Sequence, residues 1–399
     1  MELTANTPQQ LRHTNMSAIL GVMRRSAAVT GTDLIEATGL ARATVIAVCD
    51  DLIRAGWVHE LPAQRPVSGP QKGRPARVFE FAAMAGVVVG LDIGVAKTTA
   101  LVTNLRGEIL AKSTRAFGES GAAARLASID TAVDAVLADA GVRAQDVLVA
   151  AVGIAAPVDR KGRISHSQPF WANLDIGVQE NLRDRHGWPV LLANDANLAA
   201  LAERWMGVHA GAQDLAVMLA GDRIGFGLIE SGRLLRGVGG RAGEVGHLEL
   251  VKGVGTPEGI AVLARDMAQE LLESRSAKTL MSTMVAEAGE AVGAEMVFAA
   301  AAAGDTAARG ILDVIAVRMA RIISLVGTLF DPDVVVIGGA VASSAGGLLG
   351  PLEAELARLM PNPPRVEVST LGDAIVTLGA VRLALDHVEL NALDLVLGE

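Results

Sequence analysis

The chain has 399 residues, of which 51% are hydrophobic, and a formal net charge of −9 at neutral pH. This length and apolar content suffice for more than one well-packed domain, which excludes a disordered chain. The sequence contains no run of about 18 uncharged apolar residues, so no membrane span is predicted. The N-terminus lacks the basic-then-apolar order of a secretory signal, and the single cysteine, Cys49, excludes an intrachain disulfide, so we expect a cytoplasmic protein.

The charge is divided unevenly along the chain. Residues 1–80 hold nine of the 35 Lys and Arg residues and seven of the 44 Asp and Glu residues, a balance of +2. The rest carries 26 basic and 37 acidic groups, a balance of −11. An acidic surface is repelled by phosphates, so contact with nucleic acid is predicted only for the N-terminal part. There, residues 61–79 contain four basic groups and no acidic one.

The first predicted elements are helices. Residues 17–25 have helical spacing, and Thr30-Gly-Thr-Asp33 matches a capping box in which Asp replaces the usual Glu, so a short helix is predicted that ends at Gly39. The next helix is predicted from about Ala41 to Ala55, with Gly56 as its C-terminal stop. Two helices around a tight glycine turn are typical of a helix-turn-helix.

This second helix has an apolar stripe and an opposite face suited to DNA. The stripe has the spacing of a buried face and consists of Val45, Val48, Cys49, Leu52 and Ile53. The opposite face consists of Arg42, Ala43, Ile46 and Ala47, with Thr44 at its border. A recognition helix presents such residues to base edges, where arginine reads guanine and an apolar side chain meets a thymine methyl. The alternative for Arg42 is a solvated surface residue.

Two short strands are predicted after the helices, at residues 57–60 and 78–81, joined by a segment rich in Pro, Gly and basic residues. This pattern predicts a wing. Arg74, between Gly73 and Pro75 at its tip, would enter a narrow minor groove, where the negative potential is strongest. The alternative is a flexible basic linker. Residues 1–81 are therefore predicted to form a winged helix-turn-helix DNA-binding domain.

From Gly86 onward the sequence predicts an α/β body. Apolar strands are predicted at residues 87–94, 98–103, 148–154, 215–221, 224–229 and 334–339. Glycines at the strand ends allow the backbone to approach a ligand closely, and helix N-termini bind anions. Ligand contacts are accordingly expected at these strand ends.

The order of the motifs resembles the ROK family of repressors, uncharacterised reading frames and sugar kinases. The matching segments are the front end from Asn15 through GRPARVFEF at 73–81, ANDANLAALAE at 193–203, AGEVGH at 242–247, IGGAV at 337–341 and STLGDAIVTLGA at 369–380. The resemblance spans essentially the whole chain. It implies an actin-like ATPase (ribonuclease H-like) body of two lobes behind an α+β winged helix.

The resemblance also implies a domain layout and an assembly. The first lobe would comprise residues 86–195 and the C-terminal helix 377–399, and residues 196–376 would form a second lobe with the sugar-binding motif and a dimerisation surface. A homodimer or tetramer would present paired recognition helices to a pseudo-palindromic operator in double-stranded DNA.

The family's sugar site carries over onto five residues. Asp195 stands where the kinases have the general base for the sugar hydroxyl, and Asn194 where a sugar contact is expected. Glu244 and His247 match the sugar-binding motif, and three residues apart they would project to one side if the segment is helical. Glu258 aligns with a further sugar contact of the family when a deletion is allowed between His247 and Glu258. The alternative for Glu244 and His247 is a surface Glu and a satisfied His.

Both phosphate loops depart from the kinase pattern. The first loop normally reads Asp-x-Gly-Gly-Thr-Lys, and here it keeps Asp92 and Gly94. Val95 replaces the second glycine, and valine does not easily adopt a positive φ. The second, normally Gly-Thr-Gly-Ile-Gly, contains Asp222 and Arg223. An aspartate beside a triphosphate costs about 1 to 4 kcal/mol, whereas Arg223 would either fill the phosphate space or bind a phosphate. Together these changes argue against ATP as a cofactor.

The zinc pattern of the family is also missing. Relatives continue from the Gly-His with three cysteines, which complete a tetrahedral site with the histidine, but here residues 247–258 contain no cysteine. No metal cofactor is therefore expected.

These features predict a sugar-responsive transcriptional regulator, most simply a repressor, whose body binds a monosaccharide or derivative as effector and is not an enzyme. One alternative is an ATP-dependent, glucokinase-like sugar kinase, alone or as a second activity, which Asp195 and the Gly338-Gly339 turn permit. A third possibility is a DNA-binding protein whose body only dimerises. Retention of Asp195, Glu244 and His247 argues against this third possibility.

Overall fold

The computed structural model describes residues 8–62, 76–118, 121–274, 279–340 and 342–397. The chain divides into two compact units. The first comprises residues 1–152, 176–191 and 381–399, and the second comprises residues 153–175 and 192–380. The first unit includes the predicted DNA-binding residues as well as part of the body, so the predicted division at residue 81 stays a prediction. Among the described residues, no helix is both long enough and apolar enough to cross a membrane.

The helices are, in chain order, α1 (Pro8–Arg24), α2 (Gly31–Thr38), α3 (Arg42–Arg54), α4 (Ala122–Ala140), α5 (Pro169–Ala172), α6 (Val178–His186), α7 (Asp195–Met206), α8 (Ile260–Glu273), α9 (Leu280–Ala288), α10 (Ala294–Ala302), α11 (Thr306–Phe330), α12 (Gly346–Leu359), α13 (Ile375–Leu390) and α14 (Ala392–Leu397). The strands are β1 (Val29–Thr30), β2 (Val58–Leu61), β3 (Val78–Phe81), β4 (Val87–Ile93), β5 (Lys97–Asn104), β6 (Ile109–Ala116), β7 (Val147–Ile154), β8 (Val190–Asn194), β9 (Leu215–Leu219), β10 (Gly225–Glu230), β11 (Arg233–Leu235), β12 (Val334–Gly338) and β13 (Arg365–Val368).

Within residues 8–62 and 76–81 the structure has three helices and a small antiparallel sheet of order β1-β3-β2. The predicted capping box is present, because the Thr30 hydroxyl accepts a hydrogen bond from the Asp33 N–H (3.2 Å) and the Asp33 carboxylate accepts one from the Thr30 N–H (2.7 Å). Helix α2 ends at Gly39 with φ of +69°, as predicted. Helix α1 begins at Pro8, nine residues before the predicted start, and β1 was not predicted.

Two five-stranded sheets form the centre of the body, and both have the same strand order. The first sheet has the order β6-β5-β4-β7-β8, and the second has β11-β10-β9-β12-β13. In each, the first three strands in sequence form an antiparallel meander, and the fourth joins the first on its other edge. This repetition is the topology that an actin-like body predicts.

The core of the second unit lies on both faces of its sheet. On β9, the alternate residues Ala216 and Met218 pack into one apolar cluster with α8, α10, α11 and α12. On β10, a Cβ atom at Gly227 would lie 2.0 Å from the carbonyl oxygen of Ala196, so α7 packs directly against the strand backbone. The sheet thereby fixes the N-terminus of α7, where two of the residues predicted to bind sugar lie.

Candidate functional site

The junction of β8 and α7 holds two of the predicted sugar-binding residues. Asn194 is buried and is the N-cap of α7, since its side-chain oxygen accepts a hydrogen bond from the first turn of the helix (3.0 Å). Its Nδ2 donates to the carbonyl of Ala156 (3.3 Å) and to Oε1 of Glu244 (3.4 Å). Asp195 follows as the first residue of the helix, and its Oδ1 accepts the N–H of the next residue (2.8 Å). Asn194, Asp195 and Glu244 therefore form one polar cluster.

The two carboxyl groups of this cluster have raised pKa values. Burial of the carboxyl group raises the pKa of Asp195 to about 6, although the residue as a whole keeps some exposed surface. Burial and then the negative charge of Asp195 raise the pKa of Glu244 to about 7, against the opposing charge of Arg223. Near neutral pH the pair can thus both donate and accept hydrogen bonds, which suits sugar hydroxyls that do the same.

Replacing Glu244 by Gln is expected to raise the free energy of unfolding near pH 8 but not near pH 4. The folded chain holds this proton more tightly than the unfolded chain, so the carboxyl group favours folding below about pH 4.5, and that contribution is lost as the pH rises through about 7. The pKa of Glu244 rises from 4.5 to about 7 and one pKa unit corresponds to about 1.4 kcal/mol, so the gain is on the order of 3 kcal/mol. Urea denaturation across this pH range measures it, and a difference independent of pH would contradict the raised pKa.

The AGEVGH segment, which we call the motif loop (residues 242–247), is a turn rather than a helix. The condition under which Glu244 and His247 would project to one side, a helical segment, is therefore not met. Gly243 has φ of +84°, and a Cβ atom there would lie 1.9 Å from the carbonyl oxygen of Phe226, so close packing on β10 requires glycine. Backbone pairing of Gly225 with Glu244 also holds the loop in its turn conformation.

A polar cavity of about 510 Å³ nevertheless brings Glu244 and His247 together. Its lining consists of Ser167, Gln168, Trp171, Arg241, Glu244, Gly246 and His247. The His247 side chain is 81% exposed and lies 3.8 Å from Glu249, so its ring is open to a ligand. Four of the lining side chains, those of Ser167, Gln168, Trp171 and Arg241, were not predicted. Three of them lie near α5, and no periodicity or motif in the sequence links that segment to the motif loop.

The second phosphate loop is held by backbone pairing on one side. The N–H of Ile224 donates to the Pro257 carbonyl (3.0 Å), and the N–H of Gly259 donates to the Asp222 carbonyl (2.8 Å). The side chains of Asp222 and Arg223 are exposed. The guanidinium of Arg223 lies 4.9 Å from the ring centroid of Phe170, in cation–π geometry. Arg223 is therefore directed toward the segment that lines the polar cavity.

Glu258 lies in the turn that pairs with this loop. Its backbone forms a bridge with that of Arg223, and its Oε2 accepts a hydrogen bond from the Thr256 hydroxyl (2.7 Å). Glu258 does not contribute to the described lining of the polar cavity. Its predicted sugar contact stays a prediction.

The first phosphate loop belongs to the other unit. The N–H of Gly94 donates to the carbonyl of Lys97 (3.0 Å), and the carbonyl of Gly94 accepts from the Arg125 side chain (2.7 Å). Val95 is 54% exposed and has no positive φ, and the Asp92 carbonyl accepts a hydrogen bond from the Thr98 hydroxyl (3.2 Å). The loop thus accommodates valine by avoiding the left-handed conformation that the glycine of the kinase pattern permits.

The predicted DNA-binding face lies on α3. The predicted stripe is buried at Val45, Val48, Cys49 and Leu52 and half-buried at Ile53. Burial raises the pKa of the Cys49 thiol to about 12, as expected for a core cysteine. The opposite face is exposed at Arg42, Ala43 and Ala47 and half-buried at Thr44 and Ile46. Arg74 and the rest of the predicted wing tip lie outside the described residues.

Comparison with known proteins decides the family. The family model described as the ROK family matches residues 88–387. The chain belongs to the ROK family. A solved ROK family transcriptional regulator, described as a homologue of the Escherichia coli MLC protein, superimposes with a TM-score of 0.79 at 20% identity and covers 97% of this chain and 100% of its own. The predicted actin-like fold of the body is thereby confirmed.

Two curated relatives of this ROK chain represent different activities. The glucokinase of Halalkalibacterium halodurans is 28% identical over 316 residues, which are 73% of this chain and 92% of the relative. The xylose repressor of Caldicellulosiruptor bescii is 22% identical over 393 residues, which are 94% of this chain and 96% of the relative. Both repressors and glucokinases are therefore relatives of this protein, and the repressor match extends over more of the chain.

Proposed function

We propose that this ROK protein is a sugar-responsive DNA-binding transcriptional regulator whose kinase-like body binds a monosaccharide or derivative without phosphorylating it. The observation that carries the proposal is that one chain contains both α3, with its exposed face beginning at Arg42, and the carboxylate cluster of Asp195 and Glu244. A kinase needs no such N-terminal helices. A protein that used its body only to dimerise would not need two buried carboxyl groups beside a polar cavity.

The polar cavity supports a sugar as the effector. Carboxyl groups and an imidazole offer both donors and acceptors, which match the vicinal hydroxyls of a monosaccharide. Trp171 adds an apolar surface to the lining of the cavity and belongs to the same buried cluster as Leu174 and Ile154. Pockets of this kind bind small ligands through apolar walls and a few precisely placed polar groups.

The phosphate loops support binding without phosphoryl transfer. Transfer requires loops that surround and neutralise a triphosphate, because catalysis depends almost entirely on positioning and charge. Here the second loop presents an exposed carboxylate at Asp222, and Arg223 is directed onto Phe170. Asp195 would then serve as a sugar contact inherited from a catalytic base.

A sugar kinase is the second candidate, and one observation favours it. The pKa of Asp195 is raised to about 6, which suits a general base that takes a proton from a sugar hydroxyl near neutral pH. If the kinase survives, sugar-dependent ATP turnover occurs in the parent protein and disappears in Asp195→Asn.

Titration calorimetry with a panel of monosaccharides, with and without ATP, tests the proposal. We expect heat from at least one sugar in the absence of ATP, no conversion of that sugar when ATP is added, and a change in operator affinity when it binds. Sugar-dependent formation of ADP would establish the kinase instead. If no sugar gives heat or a thermal shift, the body serves only to assemble the protein.

We infer that DNA contacts come from α3 and the wing of each copy in a homodimer or tetramer. Arg42→Ala is expected to change base preference, with a loss of about 1 to 3 kcal/mol at one operator position. Arg74→Ala is expected to weaken binding to all DNA sequences. The slope of the logarithm of the binding constant against the logarithm of the salt concentration should also fall by about one, as for the loss of one phosphate contact. Binding titrations with operator variants at several salt concentrations measure both effects. If both variants bind like the parent, the assignments of the recognition helix and the wing are wrong.

Contacts within the first unit offer a route between body and DNA-binding helices. Helix α13 begins in the second unit and ends in the first, where its residue Glu389 forms an ion pair with Arg24 at the end of α1. The carbonyl of Glu389 also accepts a hydrogen bond from the Ser17 hydroxyl of α1 (2.6 Å). A displacement of α13 caused by sugar binding would therefore act directly on α1.

A further inference from the structure

The loop after the motif loop is where ROK relatives place their zinc cysteines, and the residues present here do not fit a metal. His247, the remaining family ligand, has a side chain that is 81% exposed, and its Nδ1 lies 3.8 Å from Oε1 of Glu249. Across the described parts of the chain, no three His, Cys, Asp or Glu side chains are grouped so that they could hold a metal ion. We call the segment from Gly253 to Glu258 the clamp loop.

One arginine of α11 contacts the clamp loop at three points. Arg318 is 9% exposed, and its Nε, Nη2 and Nη1 donate in turn to the carbonyls of Val254, Thr256 and Glu258, the last at 2.8 Å. A buried guanidinium is costly unless its donors are satisfied, and here three backbone carbonyls satisfy it. Because these carbonyls alternate along five residues, one planar group fixes the path of the whole turn.

A second arginine, one turn later on α11, holds the start of the same loop. Arg321 donates from Nη1 to the Gly253 carbonyl (3.0 Å). A Cβ atom at Gly253 would lie 1.7 Å from that nitrogen, so the side chain occupies the space that glycine leaves.

The clamp loop in turn positions two functional segments. Its Pro257 carbonyl accepts from Ile224 in the second phosphate loop, and the Gly259 N–H just after it donates to Asp222. A Cβ atom at Gly259 would lie 2.1 Å from the Gly221 carbonyl oxygen, which shows how closely the two backbones approach. The orientation of Glu258, which the proposed function places in the sugar site, depends on this same loop.

We propose that Arg318 replaces the zinc ion of the family: it is a positioning residue that holds the clamp loop, and through it Glu258 and the second phosphate loop, without any metal. Its role in sugar affinity rests on the proposed function, whereas its role in ordering the loop does not. A guanidinium suits this task because its planar fork of five N–H donors spans several acceptors at fixed angles, which a lysine ammonium cannot do.

Hydrogen exchange of the full-length protein tests the proposal without requiring a known sugar. In Arg318→Met, the amides of Ile224, Gly259 and Ile260 are expected to exchange at least about tenfold faster, because the clamp loop loses three hydrogen bonds from a charged donor. Amides of β9 and β12 should keep the parental rates, which verifies the fold. The matched control is Arg309→Met, because Arg309 lies on the same helix and donates to the carbonyl of Ala301 outside the loop (3.1 Å).

A chelator arm separates the arginine from a metal. EDTA should leave exchange of the parent's clamp loop unchanged, and added zinc should not restore protection in Arg318→Met. Acceleration of the parental loop by EDTA, or parental rates in Arg318→Met, would overturn the proposal. If Arg318→Met does not fold, Arg318→Lys replaces it, because it keeps the charge and stem but loses the fork, and the same acceleration is expected. If the parent binds no sugar at all, the proposed function fails. The exchange results still decide whether Arg318 orders the clamp loop, because they require no sugar.

Discussion

Replacing Glu244 by Ala is expected to abolish sugar binding while leaving operator affinity in the absence of sugar unchanged. Glu244 lines the polar cavity and connects it to the cluster at the start of α7, where Asn194 donates to its carboxyl group (3.4 Å). Removing it takes away a hydrogen-bonding group and leaves the Asn194 amide with only the carbonyl of Ala156. Loss of a buried hydrogen-bonding partner costs about 1 to 3 kcal/mol, and more for a charged group, and at the upper end of this range affinity falls more than about a hundredfold.

A matched control is available at the end of β10, the strand that pairs with the motif loop. Glu230 is an exposed residue at the end of β10, and Glu230→Ala should bind the sugar as the parent does. Calorimetry gives the sugar affinity, and a fluorescence titration with labelled operator gives the DNA affinity. Parental sugar affinity in Glu244→Ala would remove this residue from the site. A loss of sugar binding together with a loss of cooperative unfolding would indicate a role in folding instead.

The local elements were predictable because their signals are local. The capping box at Thr30 and Asp33, the left-handed stop at Gly39 and the buried stripe of α3 all depend on residues within four or five positions of one another. Six of the ten strands in the two sheets were recognisable for the same reason, whereas β6, β8, β11 and β13 were not predicted. The front of α1 was missed because Pro8 and the polar residues after it carry no apolar periodicity.

The site was predictable only where a motif carried it. Asn194, Asp195 and Glu244 lie together as the family resemblance implies, although Glu244 is fixed by pairing with Gly225 and not by a helix. Arg241 and Gln168 line the same cavity but come from segments about 70 residues apart. Their convergence depends on how the segment after β11 and the segment before α5 come together, and single-sequence patterns do not contain that information.

The clamp loop shows the same limit in another form. The sequence reveals that the zinc cysteines are absent, but it does not indicate what takes their place. Arg318 is one charged residue on the long helix α11, 60 positions after Glu258, and no sequence motif links the two residues. Only the structure shows that it is buried against three carbonyls.

Replacing Arg106 by Met is expected to uncouple the operator from the sugar without preventing either from binding. Arg106 follows β5 in the body, and its Nη1 donates to the carbonyls of Arg24 (2.7 Å) and Ser26 (2.8 Å) at the end of α1. The same guanidinium lies 5.5 Å from the ring centroid of Phe81, at the end of β3. A single side chain therefore attaches both the first helix and the last strand of the N-terminal part to the body.

The end of α13 completes this attachment through charges. Glu389 pairs with Arg24, and it also accepts from Arg382 (3.4 Å), which forms a second ion pair with Asp386 on the same helix. Burial and then the neighbouring Arg382 charge lower the pKa of Arg24 to about 10, which reflects how tightly these groups are packed. Any shift of α13 therefore reaches the carbonyl end of α1, where Arg106 is bound.

If sugar acts on DNA binding through this attachment, the ratio of operator affinities with and without sugar should approach one in Arg106→Met. Coupling between sites is typically about 1 to 3 kcal/mol, so a parental ratio of about 5 to 150 would collapse while sugar affinity stays within about twofold. Arg185→Met is the control, because Arg185 joins α6 to Asp130 (3.0 Å) and Asp134 (2.5 Å) of α4 in the same unit and contacts neither α1 nor α13 in the described residues. A parental ratio in Arg106→Met would show that the sugar signal reaches the DNA by another path. Coupling that depends on the α1 attachment requires Arg185→Met to keep the parental ratio of operator affinities with and without sugar. If this ratio collapses equally in Arg185→Met, the first unit responds to any loss of stability.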